Sequence, residues 1–158
     1  MASIKEAFGT NGQNITCTVT SLANNGQRQS TVVDNSSNLY LDALVFVKVK
    51  SAGSSTSSTG YVNVYAYGTV DGGTSYTDGA TGSDGSITLT VPPNMRLIGV
   101  ISVVANSTTY YGGPFSVAAA FGGILPEKWG IVVENKSAAT LDASVGACIY
   151  QGVYQTAA

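Results

Sequence analysis

The sequence predicts an all-β fold, an antiparallel β-sandwich of about eight strands. Three observations carry that expectation. No amphipathic helical period persists along the chain. Short segments that alternate apolar and polar residues recur instead. Clusters of Gly, Asn, Asp and Ser punctuate them, with 19 glycines in 158 residues. A chain of this length reads as one domain, 1–158, large enough to build a core without a metal or a disulfide.

The elements follow in order. "NITCTVTSL" (14–22) reads as a first strand. "NLYLDALVFVKVKS" (38–51) is the clearest: Leu39, Leu41, Ala43, Val45, Val47 and Val49 share a parity that should face the core. "AGSSTSSTG" (52–60) is a flexible loop by composition, and the strands on either side of it should pair as a hairpin. In "YVNVYAYGTV" (61–70), Val62, Val64 and Ala66 take one face and Tyr61, Asn63, Tyr65 and Tyr67 the other. "DGGTSYTDGATGSDG" (71–85) is a long loop of turn residues. "SITLTV" (86–91) points Ile87, Leu89 and Val91 inward and ends at Pro92-Pro93. "MRLIGVISVVANSTTYY" (95–111) is apolar on both parities. "GPFSVAAAF" (113–121), "WGIVVENKS" (129–137) and "VGACIYQGVYQ" (145–155) complete the set.

The stretch "GGPFSVAAAFGG" (112–123) is unusual because neither of its faces looks made for water. Read as a strand, it sends Phe115, Val117, Ala119 and Phe121 to the core. Ser116, Ala118 and Ala120 then form a small, uncharged second face. That face is expected to lie beneath another layer or against a neighbouring chain.

Composition narrows the chemistry. Charged residues are 10% of the chain, the net charge is −2, and no Lys/Arg cluster is present. Phosphate-backbone binding needs grouped cations, so nucleic acid is not an expected partner. No apolar run reaches the length of a membrane span, so no membrane is expected either. No apolar leader is visible near the start, which fits synthesis in a cytoplasm. With no histidine in the sequence, Ser-His-Asp, Cys-His and His-metal arrangements cannot form. Asp71, Asp78 and Asp84 share one loop, but they lack the spacing and terminal Glu of an EF-hand and read as Asp-Gly turns. Glu127 and Glu134 flank Trp129 without a partner that would make a glycosidase pair. The expectation is a protein that is not an enzyme and carries no metal or cofactor.

Cys17 and Cys148, near opposite ends of the chain, read as small buried apolar residues. A bridge between first and last strands cannot be judged from sequence. The tyrosines are a second candidate feature. Tyr61, Tyr65 and Tyr67 form a stripe at period two, and Tyr150 and Tyr154 share a parity in the last strand. Tyrosine gives large contact area and a polar tip, so these residues suit either a partner surface or cross-strand pairing on an exposed sheet. With Ser116, Ala118 and Ala120 they make up the candidate interface.

Several segments in order, "IKEAFGTNGQNITCTVTSLANNGQRQSTVVDNSSNLYLDALVFVKVK", "TGYVNVYAYGTVDGG", "RLIGVISVVAN", "GGPFSVAAAFGGILPEKWGIVVENKSAATLD" and "YQGVYQT", resemble a family of small virion structural proteins of tailed bacteriophages. The resemblance spans most of the chain and contains no catalytic motif. It implies a β-sandwich, expected to be of jelly-roll type, made in the bacterial host cytoplasm and located in the virion. The role it favours is capsid decoration or cementing, with capsid or other virion proteins as partners and with self-association, for which a trimer at local threefold positions would serve. A tail or neck protein of the same fold is the alternative. A non-catalytic carbohydrate-binding module using Tyr61, Tyr65, Tyr67 and Trp129 is a third reading.

Overall fold

The computed structural model describes residues 3–157. Its strands are β1 (Ile4–Phe8), β2 (Gln13–Asn14), β3 (Gln27–Gln29), β4 (Val33–Asp34), β5 (Asp42–Ser51), β6 (Tyr61–Thr69), β7 (Gly85–Ser86), β8 (Arg96–Ser102), β9 (Thr109–Ser116), β10 (Lys128–Lys136) and β11 (Leu141–Ala157). Two short 3-10 turns, Thr77–Gly79 and Ala118–Phe121, are the helical elements among the described residues. The strands form two antiparallel sheets packed as a sandwich. One has the order β1-β11-β5-β9, with β2 also on β11; the other runs β7-β3-β10-β6-β8, with β4 on β10.

The core follows from period-two patterning. Ala43, Val45, Val47 and Val49 of β5 are fully buried, and so are Val62 and Val64 of β6 and Ile131 and Val133 of β10. Trp129 closes this core at one end, its ring edge-on to Tyr150 at 5.3 Å between centroids. Cys17 and Cys148 are both buried in it as free thiols.

Several sequence expectations are corrected. The strands 38–51 and 61–70 do not pair across the Ser-rich loop. β5 lies between β11 and β9, and β6 lies between β10 and β8 in the opposite sheet. The loop is therefore a crossover between layers. In 14–22 only Gln13–Asn14 pairs in a ladder. Ile15, Cys17 and Val19 are buried in alternation as expected. The backbone here bridges the two sheets, with Ile15 N donating to Cys148 O at 2.9 Å and Thr31 N donating to Thr16 O at 2.7 Å. The start of 38–51 is a turn. Leu39 takes φ 53 and is 71% exposed, and Leu41 is 50% exposed.

The stretch 95–111 is two strands of opposite sheets, β8 and β9, joined by a turn. In β8 the register jumps from Leu97↔Tyr65 to Gly99↔Val64, so Ile98 is an extra residue. That bulge puts Leu97 in solvent and Ile101 in the core despite their shared parity. The two glycines of β8 and β9 let these edges meet: a Cβ on Gly99 would lie 2.3 Å from the Phe115 ring, and one on Gly112 would lie 2.3 Å from Ile101. Of 86–91 only Ser86 pairs, Leu89 is buried, and Val91 is 97% exposed at the Pro-Pro turn.

The stretch 113–121 is half strand and half 3-10 turn. β9 ends at Ser116 and Ala118–Phe121 coils. Successive side chains of a 3-10 turn rotate by a third of a circle, so alternation fails. Val117 and Ala118 are buried, Phe115, Ser116, Ala120 and Phe121 are half-buried, and Ala119 is exposed. Gly122 closes the turn in the left-handed region, φ 74.

The segment 71–95 folds back over the outer face of the β6-containing sheet. Ala80, Leu89 and Met95 from it bury Tyr65, Tyr67 and Val132, with Tyr76 and Ile87 at the margin. Polar clips hold it there. Asp84 accepts two bonds from the Arg28 guanidinium, at 2.7 and 2.8 Å, and one from Thr18 N at 3.0 Å. Gln27 Oε1 accepts from Leu89 N and Gln29 Oε1 from Thr81 N. The turn signals in this loop were legible, but its role as a third layer was not.

Candidate functional site

The expected tyrosine face is mostly internal. Tyr67 is fully buried and donates to Ser30 O at 2.7 Å, and its ring meets Tyr76 edge-on at 5.6 Å. Gly130 on the neighbouring strand leaves room for that ring, since a Cβ there would lie 2.3 Å from Tyr67 Cζ. Burial pushes the Tyr67 phenol up to about 12. Tyr65 is 9% exposed and donates to Glu134 at 3.2 Å. Burial opposes charge on Glu134, but bonds from Gln27, Asn63 and Lys136 outweigh it and hold the carboxyl below its ordinary range. Tyr61 alone of the stripe reaches solvent, at 39%. Tyr150 is buried too, donating to Gln13 Oε1 at 2.6 Å, because it shares a parity with Cys148 on the core face of β11. Trp129, Tyr65 and Tyr67 therefore cannot form a sugar-stacking platform.

What the structure does bring together lies at one end of the sandwich, around Tyr154. Ser116 at the end of β9, Ala118 and Ala119 of the 3-10 turn, Leu41 and Leu44 of the β5 region, Phe8 of β1 and Tyr154 of β11 line one groove of about 510 Å³. A second groove continues from it through Leu41 and Gly123 to Leu39, Tyr40 and Ile124. Phe8 is 55% exposed and Ile124 is 75% exposed. With Leu39, Leu41 and Tyr154 they make one contiguous apolar surface, of the kind that marks an interaction site. Glu6 stands on the rim of the first groove and Glu127 on that of the second. Ala120 faces a separate depression, beside Arg96, Leu97 and Phe115.

Three local devices build this end. Asp42 at the head of β5 accepts Ala118 N at 2.8 Å and Ser116 Oγ at 2.7 Å, docking the 3-10 turn on the sheet. Asn35, 6% exposed, clamps the turn before β5: its Nδ2 donates to Tyr40 O and its Oδ1 accepts Tyr40 N, both at 2.9 Å. That clamp presents Leu39 and Leu41 outward. Tyr40 then lies across β11, where Gly152 has no side chain to meet it; a Cβ there would come within 2.2 Å of the ring. On its far side Tyr40 packs with Tyr154, 6.2 Å between centroids.

Of the eight sequence-predicted interface residues, Ser116 and Tyr154 meet at this surface with the buried Ala118 as its floor, while Tyr65, Tyr67 and Tyr150 are internal. Phe8, Leu39, Leu41 and Ile124 are the members that sequence reading missed. Ile124 carried a weak signal, an apolar pair Ile124-Leu125 between a Gly-Gly pair and a proline, of which Leu125 is buried and Ile124 exposed. Asp71, Asp78 and Asp84 are spread over separate turns. Asp71 accepts Thr74 N and Ser75 N, Asp78 accepts Asn94 N and Met95 N, and Asp84 pairs with Arg28. No family model matches the chain, and no curated protein matches it.

Proposed function

We propose that the chain is a virion structural protein of a tailed bacteriophage, most simply a capsid decoration or cement protein, acting by binding and not by catalysis. The observation that carries this reading is the apolar end built from Phe8, Leu39, Leu41, Ile124 and Tyr154, which no described residue covers although the 25-residue segment 71–95 covers another face. A partner that fits it offers apolar anchors at the centre and cations at the rim, opposite Glu6 and Glu127. Strand order supports a jelly-roll reading of the sandwich. The segment from β2, then β11, β5 and β9, faces β3, β10, β6 and β8, so each successive main strand continues the double Greek-key winding. That architecture recurs in viral capsid domains. The ordered resemblance of the sequence points the same way.

The experiment is to purify phage particles from the lysate in which the chain is made and to count its copies by mass spectrometry and cryo-electron microscopy. High copy number on the shell, lost on Leu41→Lys with Ile124→Lys while the variant still folds, is the expected result. Absence from particles refutes the reading. Copies confined to the neck or tail replace cementing with the alternative structural role.

A further inference from the structure

We propose that a second copy of this chain occupies the apolar end, docking there the depression around its own Arg96 in a head-to-tail contact. The inference rests on the reading of that end as a binding surface and names its occupant. The depression, of about 560 Å³, lies between β8, β9 and the 3-10 turn that follows β9. Arg96, Leu97, Pro114 and Phe115 line it. Leu97 is 50% exposed, and Val100 farther along β8 is 52% exposed. Arg96 is exposed and has no ion pair among the described residues. The chain therefore carries the kind of surface that fits the apolar end, exposed aliphatic side chains beside an unpaired cation.

Charge decides which surfaces meet. Glu6 and Glu127 stand on the rim of the apolar end, and neither has an ion pair among the described residues. The cations next to them in sequence are turned away. Lys5 takes the opposite face of β1, and Lys128 donates to Gly72 O at 2.8 Å. Two apolar ends set against each other would oppose carboxylates, and two Arg96 depressions would oppose guanidinium groups. The end of one copy against the depression of the next joins unlike charges around an apolar centre, so the contact is heterologous. The two surfaces are also neighbours. Ser116 and Ala119 line both the depression and the groove beside Phe8 and Tyr154, so the 3-10 turn is the ridge between them. Contact surfaces on opposite sides of a molecule stack copies into a filament. Surfaces that share a ridge rotate each copy sharply against the last, and the set closes into a small ring about that ridge. Ala119, Gly122 and Gly123 lie exposed along it and are small enough for neighbouring copies to approach there.

The test is sedimentation velocity on the purified full chain, without phage particles, over a range of concentrations. The parent should form one discrete oligomer that dissociates on dilution. Arg96→Glu alone, and Glu6→Lys together with Glu127→Lys, should each weaken association by about tenfold or more. All three substitutions in one chain should restore it, because the charges are then exchanged between the two surfaces. The three positions are exposed, so every variant should keep the parent's urea midpoint. A parent that is monomeric at every concentration, an oligomer indifferent to both charge reversals, or a triple variant that does not reassociate each overturns the proposal. Copies counted on particles judge the virion reading separately. A monomer still abundant on the shell refutes the head-to-tail contact and leaves that reading standing, while a charge-dependent oligomer absent from particles does the reverse.

Discussion

Replacing Tyr67 with Phe removes one oxygen atom and nothing else, so its cost reports whether the tyrosine stripe is internal. Tyr67 is fully buried and its hydroxyl donates to Ser30 O at 2.7 Å. Ser30 is itself fully buried, so its carbonyl loses that donor where no solvent reaches it. Stranding a buried acceptor costs about 1–3 kcal/mol. Tyr61→Phe, at 39% exposure, should stay within about 0.5 kcal/mol of the parent. Urea unfolding of the three proteins measures both, and the slope should not change, since the surface exposed on unfolding is the same. An alkaline titration gives a second readout. The Tyr67 phenol is raised from 10 to about 12, so its contribution is complete below pH 10 and is lost as pH rises through 12. A rise of that size corresponds to an alkaline loss on the order of 3 kcal/mol. In Tyr67→Phe the additional alkaline loss disappears. Equal midpoints for Tyr67→Phe and Tyr61→Phe, or ionisation of Tyr67 together with the exposed tyrosines, would refute the three-layer arrangement.

Acid should loosen the covering segment. The Arg28 guanidinium holds Asp84 at about 2, below its ordinary 3.8, so the clip is intact above pH 3.8 and fails as pH falls through 2; Asp84→Asn should abolish that part of the acid transition and lower the urea midpoint at neutral pH. Gly152→Ala should displace Tyr40 from β11 and change the near-ultraviolet circular dichroism and the apolar end together, while an unaltered spectrum would show that the ring has another place to go. Replacing Cys17 and Cys148 by Ala in the reduced protein should cost about 1–3 kcal/mol through lost packing, measured by urea denaturation under reducing conditions. Ala118→Lys should prevent folding, because Ala118 is 4% exposed and its N–H is already held by Asp42; a soluble, cooperative variant that fails only to assemble would return that residue to the interface.

The fold class was legible because it rests on local chemistry. Alternation in 43–49 and 62–66 named faces that the structure buries, and turn residues marked most boundaries. Legibility stopped where alternation meets a geometry that sequence does not announce. The extra residue in β8 reversed the parity of Leu97. The 3-10 turn after Ser116 replaced a strand, though Ala-Ala-Ala is permissive for either. The supposed hairpin failed because a Ser-rich loop spans between sheets as readily as between neighbours. The cysteines were read correctly as buried, and their place in one core depends on the final strand returning beside the first segment, a long-range pairing invisible to local pattern.

The tyrosine stripe shows why the candidate site was half found. Period two says which residues share a face, and says nothing about what covers it. Tyr65 and Tyr67 share the outward face of β6 as predicted, yet Leu89 and Met95, more than twenty residues downstream, take the place a partner was expected to fill. A polar loop achieves this because Arg28, Gln27 and Gln29 satisfy its backbone and its aspartate. The chain thus closes this aromatic face by itself. Exposed apolar surface is left instead at the end of the sandwich, where Phe8, Leu39, Leu41, Ile124 and Tyr154 converge and no segment folds over them among the described residues. Sequence patterning underweights such ends because their apolar residues stand singly, in turns, without a period. Leu39 is the clearest case. Its parity placed it in the core, and the left-handed turn held by Asn35 turned it out to solvent.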